Sequence, residues 1–248
     1  MLADVEADAL AAASAQVGER HGSPTLAVGC DVRHASQLEV LASAAGERFG
    51  DVHVLCNNAG VSGSGDAWSG PLDTWEWTFD VNVFGVVHGI RTFLPKMLEH
   101  GGYIINTASV AGLYPGLSPT YDASKHAVVA LTENLYRQMR SVGAPVGVSC
   151  LCPGWVRTNI MDSLRNFPAE YGAPPQSDEF DAVRPIIQRV IDEGMTPAAV
   201  ADRVAAAISE DRFWIFTDGD FIELAARRWA TVAEGMNPVL NEPIPGFA

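Results

Sequence analysis

Hydrophobic positions along the chain fall into short apolar runs separated by longer stretches with helical spacing. The runs are Leu2-Ala-Asp4, Thr25-Leu-Ala-Val-Gly-Cys30, Val52-His-Val-Leu-Cys56, Tyr103-Ile-Ile-Asn-Thr107, Val146–Cys152 and Phe213-Trp-Ile-Phe-Thr217. Runs this short, bounded by turn residues, predict buried strands. Between them, residues 6–20 are Ala-rich, residues 35–49 are amphipathic up to Gly50, and residues 72–98 and 119–142 carry long helical patterns. A further helix is predicted from Thr196, with Thr196 as N-cap and Pro197 at the first helical position. Residues 159–180 mix Pro and Gly without a clear period and predict a loop, so 159–195 reads as a lid. Strand–helix alternation with fully apolar strands predicts one α/β domain over residues 1–248: a doubly wound, mostly parallel, Rossmann-like sheet covered on both faces.

Composition narrows the classes of function. The chain has 248 residues, 48% of them hydrophobic and 19% charged, which suits one globular domain. A net charge of −14 argues against nucleic acid or an anionic membrane as partner, though not against a small anionic ligand. No apolar run has transmembrane length and no signal peptide is evident, so a cytoplasmic protein is expected. Cys30, Cys56, Cys150 and Cys152 lie at or near strand ends and are expected as buried, reduced thiols. Cys150-x-Cys152 has no second pair, so no metal site is expected.

The densest chemistry lies between Asn106 and Lys125. A strand delivers Ser109 at its C-terminal end, and a helix then presents Tyr121 and Lys125 at i and i+4, one turn apart on one face. A free tyrosine titrates near ~10, and a fixed ammonium beside it favours the phenolate. Lys125 is therefore expected to lower the Tyr121 pKa and make it a usable acid and base. Ser109 has the chemistry to polarise a carbonyl oxygen at the same point. His126 points to another helix face and reads as structural. A lone Tyr-x-x-x-Lys occurs on many helices, so its neighbours decide its meaning.

Those neighbours are Asn57-Asn58-Ala59-Gly60, Asn82, Ser109, Tyr121-x-x-x-Lys125 and Pro153-Gly154-x-Val156-x-Thr158, in that order. From Leu2 to about Pro238 the chain resembles the short-chain dehydrogenase/reductase family. The resemblance implies hydride transfer between a nicotinamide cofactor and a secondary alcohol or ketone. Tyr121 would be the general acid/base, Ser109 the carbonyl polariser, Lys125 the ribose-binding partner of Tyr121, and Asn82 the support of a helix irregularity and a proton relay. It also implies that Asp31-Val32 contact adenine, that Asn58, Ala59 and Gly60 line the adenosine side, and that Val156 and Thr158 contact nicotinamide. Asn57 would be more structural.

A carboxylate at Asp4, the end of the first run, suits the adenosine ribose hydroxyls and repels a 2′-phosphate, so NAD is expected rather than NADP. Asp4 and Asp31 also have a plainer reading, as helix N-caps. Leu113, Tyr114, Leu117, Trp155 and Met161 flank the catalytic positions and suggest an apolar substrate, with ordinary packing as the alternative. The helices at 72–98 and 119–142 would build a homodimer or homotetramer.

The family's first strand and its glycine-rich phosphate turn would precede Asp4. The sequence as read starts within the second strand, so a missing first strand–turn–helix unit is expected, with unpaired strand edges and weak cofactor binding. The rival expectation is a non-catalytic interaction module that has lost its cofactor.

Overall fold

The computed structural model describes residues 1–63, 65–116, 118–175, 178–240 and 242–247, with the side chains of 178–181 also left aside. Strand β1 (Leu2–Asp4) leads into helix α1 (Ala7–His21), then β2 (Ala27–Gly29) and α2 (Ala35–Phe49). Strand β3 (Val54–Asn57) precedes α3 (Leu72–Phe79), which runs through a π-helical turn (Asp80–Phe84) into α4 (Gly85–His100). Next come β4 (Gly102–Thr107), α5 (Pro119–Ser141) and β5 (Val146–Cys152). The chain ends with α6 (Asp178–Glu193), α7 (Pro197–Glu210), β6 (Trp214–Phe216) and α8 (Gly219–Ala233).

The strand pairs are all parallel and form two sheets, β1-β2 and β3-β4-β5-β6. Thus β1 is paired on one side, with β2, and β3 on one side, with β4. Alternate residues of β4 and β5 separate the two layers, as a period of two requires. Ile104 and Val148 face α2, α4 and α5 through Leu38, Leu41, Phe93, Met97, Leu135 and Met139. Tyr103, Ile105 and Leu151 face α7, where Ala207 is fully buried. At the outer strand the cover thins, and Val54 is 49% exposed.

Four expectations are corrected here. The helix predicted over 72–98 is interrupted by the π turn at Asp80–Phe84. The segment predicted as a loop holds short 3-10 turns at Ile160–Asn166 and Ala169–Tyr171, followed by α6. Pro185 inside α6 hid that helix, because proline usually ends one. Cys56 is exposed, unlike the other three free cysteines, because it lies on the outer strand β3. Finally, neither Asp4 nor Asp31 is an N-cap: those positions belong to Glu6 and His34. The aspartates instead accept from the backbone N–H two residues on, Glu6 at 2.9 Å and Arg33 at 3.0 Å.

Candidate active site

Ser109 is placed by the end of β4. The chain leaves the sheet held by Ala108 N–H on the Leu151 carbonyl and Val110 N–H on the Pro153 carbonyl. In the 3-10 turn that follows, Ser109 Oγ accepts from Ala111 N at 3.2 Å and donates to the Pro153 carbonyl at 3.4 Å. Pro119 at the start of α5 fixes that helix's first turn, and Asp122 Oδ2 accepts from Gly116 N (2.7 Å) and Ser118 N (3.3 Å) across the loop before it. The helix thereby turns Tyr121 and Lys125 toward Ser109. Lys125 Nζ donates to the Thr107 carbonyl at 3.0 Å and sits 5.6 Å from the centroid of the Tyr121 ring.

Asn82 joins this group from the π turn. Its side chain is fully buried, and Oδ1 accepts from Val61 N at 2.8 Å. Its Nδ2 donates to the Val61 carbonyl (3.0 Å) and to Ser124 Oγ (2.9 Å), while Ser124 Oγ donates to the Tyr121 carbonyl at 2.7 Å. One asparagine therefore ties the turn after β3 to the first turn of α5. Gly60 lies between the two, because a Cβ there would stand 3.4 Å from both Asn82 Oδ1 and Lys125 Nζ. Asn58 enters through Thr107, whose hydroxyl donates to Asn58 Oδ1 at 3.0 Å. Asn57 is structural: its Nδ2 donates to Asn106 Oδ1 at 2.8 Å, and Asn106 continues to Thr132 on α5 at 3.1 Å. His126 Nδ1 meets the Asp122 carbonyl of its own helix at 2.8 Å.

Electrostatics in this pocket differ from the sequence expectation. Burial pushes the Tyr121 phenol up to about 12, only partly opposed by the Ser109 hydroxyl, with Asp122 raising it further. Burial brings Lys125 down to about 8, against a smaller opposing influence from Cys150 and Cys152. Lys125 does not lower the Tyr121 pKa in this arrangement. Its ammonium turns to the Thr107 carbonyl, and desolvation is the largest influence on both groups.

The remaining positions line the neighbouring strand ends. Asp4 is exposed at the end of β1, with Oδ1 taken by Glu6 N. Asp31 and Val32 follow β2, and the Val32 carbonyl meets His88 Nδ1 at 2.9 Å. Both Asp31 oxygens are held by Arg33, through Nε at 3.1 and 3.0 Å and Nη2 at 2.7 Å. Arg33 was not picked out from sequence; an arginine two residues after a strand-end aspartate was the available signal. Val156 pairs with Met195 at the base of the lid, and Thr158 is exposed beyond it, its hydroxyl donating to the Val156 carbonyl at 3.4 Å. Among the residues expected to flank the substrate, Leu113, Tyr114 and Trp155 pack against buried clusters, and Leu117 lies outside the described residues. Among the described residues, no group of three or more His, Cys, Asp or Glu is placed to hold a metal, and no helix is long and apolar enough to cross a membrane.

Residues 1–169 match the short chain dehydrogenase family model. A 1-deoxy-11-beta-hydroxypentalenate dehydrogenase of Streptomyces avermitilis is 35% identical over 228 residues, covering 89% of this chain and 75% of the relative. A CLA biosynthesis dehydrogenase/reductase of Lactiplantibacillus plantarum is 31% identical, covering 84% and 75%. A short-chain dehydrogenase/reductase crystal structure from Burkholderia phymatum, in complex with NAD, superposes with a TM-score of 0.90 at 40% identity, over 98% of this chain and 87% of that one. The first and last of these alignments run over nearly all of this chain and over 75% and 87% of the two relatives. The chain belongs to the short-chain dehydrogenase/reductase family, as an NAD(P)-dependent oxidoreductase acting on CH–OH groups.

Proposed function

We propose that the protein interconverts a secondary alcohol and a ketone with NAD(H), and that Tyr121 carries the proton. The observation behind this reading is the convergence of Ser109, Tyr121, Lys125 and Asn82 from three separate elements around Gly60. When bound, the nicotinamide supplies or accepts the hydride. Ser109 Oγ turns from the Pro153 carbonyl to donate its hydrogen bond to the substrate oxygen. The Tyr121 phenol, held protonated by burial, gives its proton to that oxygen as a ketone is reduced. Lys125, bonded to the Thr107 carbonyl 5.6 Å from the Tyr121 ring centroid, binds the nicotinamide ribose beside it. Alcohol oxidation runs the same path in reverse and starts from the harder step, loss of the Tyr121 proton.

The fit to the cofactor is good at two ends. Gly60 leaves open the space beside Asn82 and Lys125 that a Cβ would fill, which suits the nicotinamide ribose against Lys125. Asn58 and Ala59 continue that wall toward adenosine, while Val156 and Thr158 serve the nicotinamide side. The exposed Asp4 carboxylate keeps one oxygen for the adenosine ribose and repels a 2′-phosphate. NAD is therefore preferred. Asp31 contributes through its pairing with Arg33, and Val32 through its backbone.

The test is Tyr121→Phe, assayed for NADH oxidation with a panel of secondary ketones. Turnover should fall by about 10²–10⁴-fold, with an unchanged unfolding midpoint. A variant that keeps its turnover would remove Tyr121 from the mechanism.

A further inference from the structure

The three turns assigned to the cofactor share a feature that the catalytic reading does not use. Two residues beyond Asp4, Glu6 pairs with Arg165 and accepts from Asn166 Nδ2 at 2.8 Å. Two residues beyond Asp31, Arg33 Nη1 reaches Glu170 at 2.9 Å. Two residues beyond Gly60, Ser62 holds Ser163 Oγ through its N–H (3.0 Å) and its hydroxyl (2.9 Å). Every partner belongs to one stretch of the lid, the 3-10 turns between Ile160 and Tyr171. The two ends of the lid are joined at its base by the Val156–Met195 bridge, with Arg157 N–H on the Met195 carbonyl at 3.0 Å.

We propose that Arg33, Glu6 and Ser62 are positioning residues that clamp this lid segment across the cofactor groove, so that its opening sets how fast the dinucleotide leaves. The inference rests on the proposed NAD(H) reading. Arg33 is the strongest of the three. Its side chain is only 12% exposed, and its guanidinium joins Asp31 to Glu170, so the adenine turn and the lid move as one unit. A dinucleotide lying along these strand ends is covered while the pairs hold. Breaking them costs little, because Glu170 and Arg165 are largely exposed, at 59% and 42% of the side chain. A clamp of that strength retains a ligand without trapping it.

The test uses Glu6→Gln and Glu170→Gln, singly and together. Each keeps the shape of the side chain and removes its charge. Hydrogen exchange of residues 160–171 is read first without cofactor, and should quicken in both variants. NADH dissociation is then followed by stopped-flow fluorescence. Each variant should release NADH about two- to fivefold faster, and the double variant faster still. Added salt should speed release from the native protein and have little effect on the double variant. Single-turnover hydride transfer should stay within about twofold. Unchanged release in a variant whose lid exchanges faster would overturn the coupling and leave only a structural tie. Unchanged exchange would overturn the clamp itself. A native protein that binds no NADH would sink the functional reading, whereas the cofactor-free exchange still reports whether the charges hold the lid.

Discussion

Lys125 holds an ammonium where only 3% of the residue meets solvent. Its pKa of about 8, against 10.5 for an ordinary lysine, measures the cost. Between those values the unfolded chain binds more protons than the folded one, so stability rises with pH across this window. Below about pH 8 the full penalty is present. Replacing Lys125 by Met removes the penalty and the slope together. The stability advantage of Lys125→Met over the native protein should therefore shrink by on the order of 2–3 kcal/mol between about pH 7.5 and pH 10. Urea denaturation at the two pH values measures it, and parallel curves would place Lys125 in a better-solvated state. The Cys30 thiol, raised by burial and by Asp31 rather than by Lys125, titrates in both proteins and drops out of the difference. Asp4 supports a second prediction at this scale. Asp4→Ser removes the charge that repels a 2′-phosphate, so the ratio of kcat/KM for NAD to that for NADP should fall by about tenfold. An unchanged ratio would move cofactor choice away from this strand end.

The π turn at Asp80–Phe84 is the element on which the site depends most, and the sequence foretold it only in part. The family resemblance implied an irregularity at Asn82, where an asparagine inside a helical pattern is in any case a poor fit because it competes for backbone bonds. Its partners were not legible, since Val61 lies 21 residues away and Ser124 lies 42 away. Asn82→Ala leaves the Val61 N–H and carbonyl and the Ser124 hydroxyl without this partner in a buried place. Thermal or urea unfolding should show a loss of about 2–4 kcal/mol, and a loss under about 1 kcal/mol would mean that water replaces the amide. A similar dependence joins α4 to β3. A Cβ on Gly89 would come within 2.1 Å of Asn57 Oδ1, so Gly89→Ala should cost about 1–3 kcal/mol. Tyr121, Lys125 and Ser109 were readable because helix and strand periods set their faces and the neighbouring motifs carried the family resemblance. Their protonation was not readable, because burial decided it. Arg33 and the lid contacts join residues up to 160 positions apart, which no local pattern contains.

At the scale of the whole molecule, the strand–helix alternation gave the parallel sheet and its two layers, while the pairing between strands had to come from the structure. The two sheets are of unequal build. Strands β4 and β5 share a six-residue register, with Ile104, Val148 and Cys150 all fully or almost fully buried. Strands β1 and β2 share three residues, and Ala3, Asp4, Ala27 and Gly29 are exposed. Helix α1, which packs on them, buries only Leu10 and Ser14. Local stability follows buried contacts, so the β1–α1–β2 unit should open well before the four-stranded sheet. Its other attachments include Val28 and Cys30, packed in the cluster of Leu38 and Met97, and the charged ties from Glu6 and Arg33 to the lid. Native-state hydrogen exchange resolves the two. Amides of residues 2–29 should exchange at least about 100-fold faster than those of β4 and β5, with a weaker denaturant dependence that marks a sub-global opening. NADH should slow exchange in residues 2–29 much more than in β4 and β5, because the proposed adenosine contacts of Asp4 and Val32 lie at the ends of this weaker unit. Uniform protection across all six strands would instead mean that the charged ties and Cys30 hold the unit to the core as one cooperative body.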